Sequence, residues 1–258
     1  MGVKQLFDLV GRVAVVTGGS RGLGLQMAEA LGEMGARIAI TARKKDELDE
    51  AVAHLESLGI DATAYACDLG KREQIEPLAT AILAAFGKFD ILVNNAGANW
   101  AAPAEDHPLE AWDKLVNLNL SGAFVLSQFA AKRSMIPKKW GRIINVASIN
   151  GFQATDMRLL NDVGYVATKH GLVGLTRQLA AEWGKYGITV NAICPGFFVS
   201  KMTRATLDTA GEFIRAGTPS GQLGGDEDLK GLAVLLASDA SRHITGQAIA
   251  VDGGASII

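Results

Sequence analysis

The sequence predicts an α/β fold in a single domain, a doubly wound parallel sheet with helices on both faces. Three observations carry this. Short runs that are apolar on both faces recur along the 258-residue chain, as strands buried on both sides require. Between them lie stretches with apolar residues at helical spacing. At 48% hydrophobic, the chain can bury one large core without needing a second domain.

The elements follow in order. Val13 to Val16 is an apolar strand ending in Thr17-Gly18, and Leu23, Met27 and Leu31 share the next helical face. Arg37 to Thr41 is a second strand, followed by a helix carrying Leu48, Val52 and Leu55. Strand Ala62 to Ala66, a helix with Ile75, Leu78, Ile82 and Phe86, and strand Ile91 to Asn94 continue the alternation. Later strands are Arg142 to Ala147, Thr189 to Ile193 and Ala248 to Val251. The helices between them are anchored by Leu115, Leu118, Leu172, Leu175, Leu179, Leu232 and Leu235. No linker or repeat interrupts the pattern, so residues 1–258 are expected to form one unit. The weakly patterned stretch Lys201 to Gly225, rich in Thr, Gly and Ser, reads as a surface excursion or a substrate lid.

Composition excludes several classes. A net charge of −2 lacks the basic excess that a nucleic-acid or anionic-membrane partner requires. The two cysteines, Cys67 and Cys194, are no disulfide framework, which fits a reducing cytoplasm. His54, His107, His170 and His243 are scattered without zinc-type spacing, so no metal is expected. Met1 to Val10 has no leader pattern, and Ile188 to Val199 is too short and too interrupted to span a bilayer. A soluble, cytoplasmic protein is expected.

Thr17 to Gly24 (TGGSRGLG) joins the first strand to the first helix. Its glycines read G-x-x-x-G-x-G and not the general G-x-G-x-x-G, but the physical logic is shared. Gly18 permits a tight turn, Gly22 lets the backbone approach a pyrophosphate, and Gly24 allows close helix packing. Free amides at the helix N-terminus then face the anion. A plain turn is the alternative for such a loop in isolation. The second strand ends Thr41-Ala42-Arg43-Lys44-Lys45, with no acid before Asp46. NAD would want a carboxylate there, whereas a 2′-phosphate would want the cations, with Arg21 reaching from the loop. NADP(H) is therefore favoured over NAD(H); the alternative is a solvated basic face.

Tyr165 and Lys169 stand four apart at the start of a predicted helix, on one face. An ordinary tyrosine pKa near 10 is too high for proton exchange at neutral pH, and a neighbouring cation is expected to lower it. Such a pair is common by chance, but its company is not. Ser148 follows the strand Arg142 to Ala147, and Asn94-Asn95-Ala96-Gly97 closes another strand at the same edge of the sheet.

Over nearly its whole length the chain resembles the single-domain short-chain dehydrogenases/reductases, which have a Rossmann fold. The resemblance rests on Thr17 to Gly24, Asn94 to Gly97, Asn119 in NLSG, Ser148, Tyr165, Lys169 and Pro195-Gly196. It implies Asn119, Ser148, Tyr165 and Lys169 as catalytic residues. Hydride would pass between nicotinamide and a carbonyl carbon, with Tyr165 exchanging the proton and Ser148 stabilising the oxygen. Lys169 would lower the Tyr165 pKa and hold the ribose, and Asn119 would help position Lys169 and a water.

Cofactor contacts are implied for Gly18, Ser20, Arg21, Gly22, Leu23 and Gly24 in the loop, and for Arg43, Asp68 and Leu69. They are also implied for Asn95, Ala96, Gly97, Tyr165, Lys169, Pro195, Gly196, Phe198 and Ser200, the last where a Thr is usual. The partners implied are a small-molecule carbonyl or alcohol and a second copy, as a homotetramer or homodimer.

The Ser148–Tyr165 spacing of 17 is longer than the family's usual one, so this segment is expected to govern specificity. Trp100, Phe152 and Phe197, with Ser148 and Tyr165, are the expected substrate contacts. The PGFFVSKMT run of Pro195 to Thr203 resembles both gluconate 5-dehydrogenases and β-ketoacyl reductases. A reductase of small ketones or 3-oxoacyl compounds is read ahead of a sugar-acid dehydrogenase, and a non-catalytic redox sensor is the alternative of another class.

Overall fold

A computed structural model describes residues 1–258. After a short helix α1 (Val3–Leu6), strand β1 (Val13–Thr17) leads into α2 (Gly22–Glu33), and β2 (Arg37–Ala42) into α3 (Lys45–Ser57). Strand β3 (Ala62–Ala66) precedes α4 (Arg72–Phe86), and β4 (Ile91–Asn94) precedes α5 (Leu109–Val116). A π-helical stretch, Asn117–Gly122, carries α5 into α6 (Ala123–Ala130), and a second, Ala131–Met135, leads to α7 (Ile136–Lys138). Then come β5 (Gly141–Val146), α8 (Val163–Trp183), β6 (Ile188–Pro195), α9 (Arg204–Ala216), α10 (Lys230–Ala237) and β7 (Ala248–Val251).

All pairings are parallel, in the order β3-β2-β1-β4-β5-β6-β7. The doubly wound expectation holds, and alternation along β1 shows its cause. Ala14 and Val16 enter the core layer shared with Met27 and Leu31 of α2, Leu48 and Leu55 of α3, and Leu236 of α10. Val13 and Val15 enter the opposite layer with Ile75 and Ile82 of α4, Leu126 of α6 and Leu179 of α8. Successive side chains point to opposite faces, so a strand apolar throughout feeds two helix layers at once.

Several boundaries move by a residue or two. Strand β5 stops at Val146, one residue earlier than expected, and β6 runs longer, from Ile188 to Pro195. The Lys201–Gly225 excursion contains a full helix, α9. Its inward face carries Leu207 and Ala210, half-buried, and Ile214, buried, with Phe213 46% exposed beside it. The excursion is tied down at its ends: the Gly224 amide donates to Phe197 O at 2.9 Å, and the Ser220 amide to Gly253 O at 3.0 Å. No helix is long and apolar enough to cross a membrane.

Candidate active site

Because β4 adds beside β1 instead of β3, the connections after β1 and β4 leave in opposite directions. This opens a crevice at the carboxyl ends of the strands, where open α/β sheets bind ligands. A cavity of about 470 Å³ occupies it.

The crevice is stitched at its floor. The Thr17 hydroxyl accepts from the backbone amides of Asn95 (2.9 Å) and Ala96 (3.0 Å). The Asn95 side-chain amide donates to Thr17 O at 2.9 Å and Gly18 O at 3.1 Å. These bonds leave little room for side chains. A Cβ on Gly24 would lie 2.3 Å from Gly18 O and 2.5 Å from Asn95 Nδ2. Gly18 and Gly22 have φ of +62° and +53°, the left-handed region that favours glycine. A Cβ on Gly22 would meet nothing within 4 Å, so there the requirement is conformational.

At one end of the cavity, Arg21, Arg43 and Lys44 form the wall together with Glu47 of α3. Asp68 and Leu69 line the cavity beyond β3, where Asp68 Oδ1 accepts from the Gly70 amide at 3.0 Å. At the other end stand Ser148, Tyr165 and Lys169, with Pro195, Gly196 and the 200–203 segment opposite. A dinucleotide fits this shape. Left-handed glycines and the first turn of α2 face the middle, cations one end, and the Ser148–Tyr165–Lys169 group the other.

Ser148 follows β5 and begins a short turn, its Oγ accepting from the Asn150 amide at 3.1 Å. Tyr165 is the third residue of α8, one turn before Lys169. Burial pushes the Tyr165 phenol up to about 12; a hydrogen bond with Ser148 opposes this, while the Asp162 and Cys194 charges add to it. Burial pushes Lys169 down to about 8. The Lys169 ammonium donates to Val146 O at 2.7 Å and lies 5.4 Å from the centre of the Tyr165 ring. The expected lowering of the phenol is therefore corrected for the protein alone, because desolvation outweighs any help from Lys169.

Asn119 also differs in detail. It sits on the π-helical turn, a widened turn often found at functional sites. Its side chain donates to Ala98 O (3.0 Å) and the Thr168 hydroxyl (3.1 Å) and accepts from the Ala98 amide (2.9 Å). It pins the loop after β4 to α8 and makes no hydrogen bond to Lys169.

Of the expected cofactor contacts, all but Gly24 line the cavity; Gly24 is buried in the loop's own packing. Phe198 reaches the wall, but its side chain is in the core and packs on Gly224. Trp100, Phe152 and Phe197 do not line the cavity; Trp100 and Phe152 are 46% and 40% exposed beyond it. Sequence reasoning missed Glu47, the bonds of the Thr17 hydroxyl to the 95–96 turn and a chain of hydrogen bonds across the long segment. Asn150 Nδ2 donates to the Thr155 hydroxyl, which donates to Asp162 Oδ1, each at 2.7 Å. Nothing in the spacing of these three marked them as partners.

A family model described as short chain dehydrogenase matches residues 12–211, and the chain belongs to that family. It is an NAD(P)-dependent oxidoreductase. It is 34% identical to the gluconate 5-dehydrogenase of Gluconobacter oxydans, covering 100% of this chain and 99% of the relative. It is 36% identical to a 3-oxoacyl-[acyl-carrier-protein] reductase of Staphylococcus aureus, over 93% and 96% of the two chains. The crystal structure of a gluconate 5-dehydrogenase from Burkholderia cenocepacia in complex with NADP and tartrate superimposes with a TM-score of 0.93 at 34% identity, covering 100% of both chains.

The buried ammonium has a consequence for stability. With its folded-state pKa near 8 and a normal value of 10.5, Lys169 binds fewer protons folded than unfolded between those values. Stability supplied by this group therefore rises with pH across that window, by up to about 1.4 kcal/mol per pH unit. Urea denaturation of wild type and Lys169→Met at several pH values should show wild type gaining on the variant through the window. Parallel curves would mean that the ammonium is not desolvated.

Proposed function

We propose that the protein interconverts a ketone and a secondary alcohol using NADP(H). The observation that carries this reading is the continuity of one cavity between Arg21, Arg43 and Lys44 and the Ser148–Tyr165–Lys169 group. The bound nicotinamide supplies or accepts the hydride. Tyr165 gives its phenolic proton to the forming alkoxide, or takes it back in oxidation, and Ser148 donates a hydrogen bond to that oxygen. Lys169 leaves or shares the Val146 carbonyl when ribose hydroxyls offer it acceptors, and its charge then favours the phenolate. Asn119 holds the loop after β4 against α8, so that Lys169 keeps its place.

The mouth bears on the substrate. The Ala102 amide donates to Asn161 O at 2.8 Å, joining the loop after β4 to the long segment before Tyr165. Arg158 stacks on Phe213 at 4.6 Å, joining that segment to α9. Trp100, Phe152 and Met157 on these segments, and Met202 just before α9, are exposed large apolar side chains. This rim supports a small ketone or 3-oxoacyl compound with an apolar part, over which α9 serves as the cover.

A second reading has its own observation. Lys201 lines the cavity, exposed, with no ion-pair partner, and could hold the carboxylate of a sugar acid such as the gluconate named for two of the similar proteins. Purified protein assayed with a 3-oxoacyl thioester, simple ketones and 5-ketogluconate, each with NADPH and NADH, separates the readings. Turnover of 5-ketogluconate alone would favour the sugar acid. Tight NADPH binding with no turnover across the panel would support the sensor instead.

Tyr165→Phe should lower kcat by about 10²–10⁴-fold with cofactor affinity nearly unchanged, and full residual activity would sink the mechanism. Arg43→Asp should shift the NADPH/NADH preference toward NADH by about ten- to a hundredfold. An unchanged coenzyme ratio would count against the 2′-phosphate site.

A further inference from the structure

Strand β2 ends without the acid that would receive an adenosine ribose, and the first acid, Asp46, is exposed and does not reach the cavity. The next residue does. Glu47 lies in the first turn of α3 and shares the cavity wall with Arg21, Arg43 and Lys44. Its carboxylate is paired with the Arg21 guanidinium and, at 3.2 Å, with the Lys44 ammonium.

The burial is uneven. The Glu47 side chain is 21% exposed against 49% for Arg21 and 59% for Lys44, so the anion is the inner member of the cluster. Burial alone would raise its pKa, but the hydrogen bond from Lys44 and the charges of Arg21 and Lys44 hold it below the usual carboxylate range. It is an anion at any physiological pH. Arg43 is the one cation of the three without an ion pair.

A 2′-phosphate entering this corner meets two cations already engaged and a fixed negative charge among them. A 2′-hydroxyl meets a carboxylate it can donate to without displacing either cation. We propose that Glu47 sets coenzyme selectivity. Its carboxylate, supplied from helix α3 in place of the missing strand-end acid, weakens the hold on a 2′-phosphate and lets NAD(H) share the site. This rests on the proposal that the cavity binds NADP(H).

Isothermal titration of NADP⁺ and NAD⁺ into wild type, Glu47→Gln and Glu47→Ala reads affinity without depending on turnover. In both variants the Kd for NADP⁺ should fall by about three- to fivefold and that for NAD⁺ should rise by a similar factor. An unchanged ratio of the two constants, or weaker NADP⁺ binding from loss of a residue that merely holds Arg21 and Lys44 in place, would overturn the inference while leaving the function above intact. Failure of wild type to bind either coenzyme would overturn both.

Discussion

The site depends on the hydrogen bonds that join the ends of β1 and β4. These strands are neighbours in the sheet but far apart in sequence, and the chain leaves them in opposite directions. Thr17 offers one hydroxyl to two amides of the 95–96 turn, and Asn95 returns two bonds to the backbone at 17 and 18. The β1–β4 ladder ends at Val16 and Val93, and these side-chain bonds carry the tie between the two strands past that point. With these bonds made, the glycine loop is held against β4 and the crevice stays open. Without them, the loop would be free to collapse into the space a dinucleotide needs.

Burial then divides the labour along the crevice. At the catalytic end, protein packing disfavours charge on both titrating partners, pushing Tyr165 up and Lys169 down. A neutral phenol suits a proton donor, while an ammonium held on one carbonyl is ready to accept better partners. The residues that set this arrangement are themselves buried: Asn119 is 1% exposed, Thr168 1% and Lys169 5%. At the end lined by Arg21, Arg43 and Lys44 the cations stand in solvent, where an ion pair is worth about 1 kcal/mol or less.

This division also explains what could be read from the sequence. The sheet was legible because strands buried on both faces leave long apolar runs, and α2 to α4 because their core stripes are regular. That Tyr165, Lys169 and Ser148 would share one end of the crevice was legible, because all three stand near strand ends or a helix start at one edge of the sheet. Glu47 was not, since an acid in the first turn of a helix is ordinary and only the fold brings it against Arg21. The opposing pKa shifts were not legible either: burial, not spacing, decides them. Helix α9 was obscured because its half-buried face of Leu207, Ala210 and Ile214 is set in a segment rich in Thr, Gly and Ser.

The long segment before Tyr165 links these themes. Ser148 takes the Asn150 amide, the Asn150 side chain reaches Thr155, Thr155 reaches Asp162, and the carbonyl of Asp162 accepts the Val166 amide in the first turn of α8. Ser148 and the start of the helix that carries Tyr165 are thus tied through three short polar side chains, two of them, Thr155 and Asp162, buried. Extra residues between Ser148 and Tyr165 are therefore accommodated as an outward loop carrying Phe152, Met157 and Arg158, while its base stays fixed. The loop can change without disturbing the distance between Ser148 and Tyr165. The same separation applies at the far end, where exposed cations and Glu47 can change without touching the buried frame around Tyr165 and Lys169.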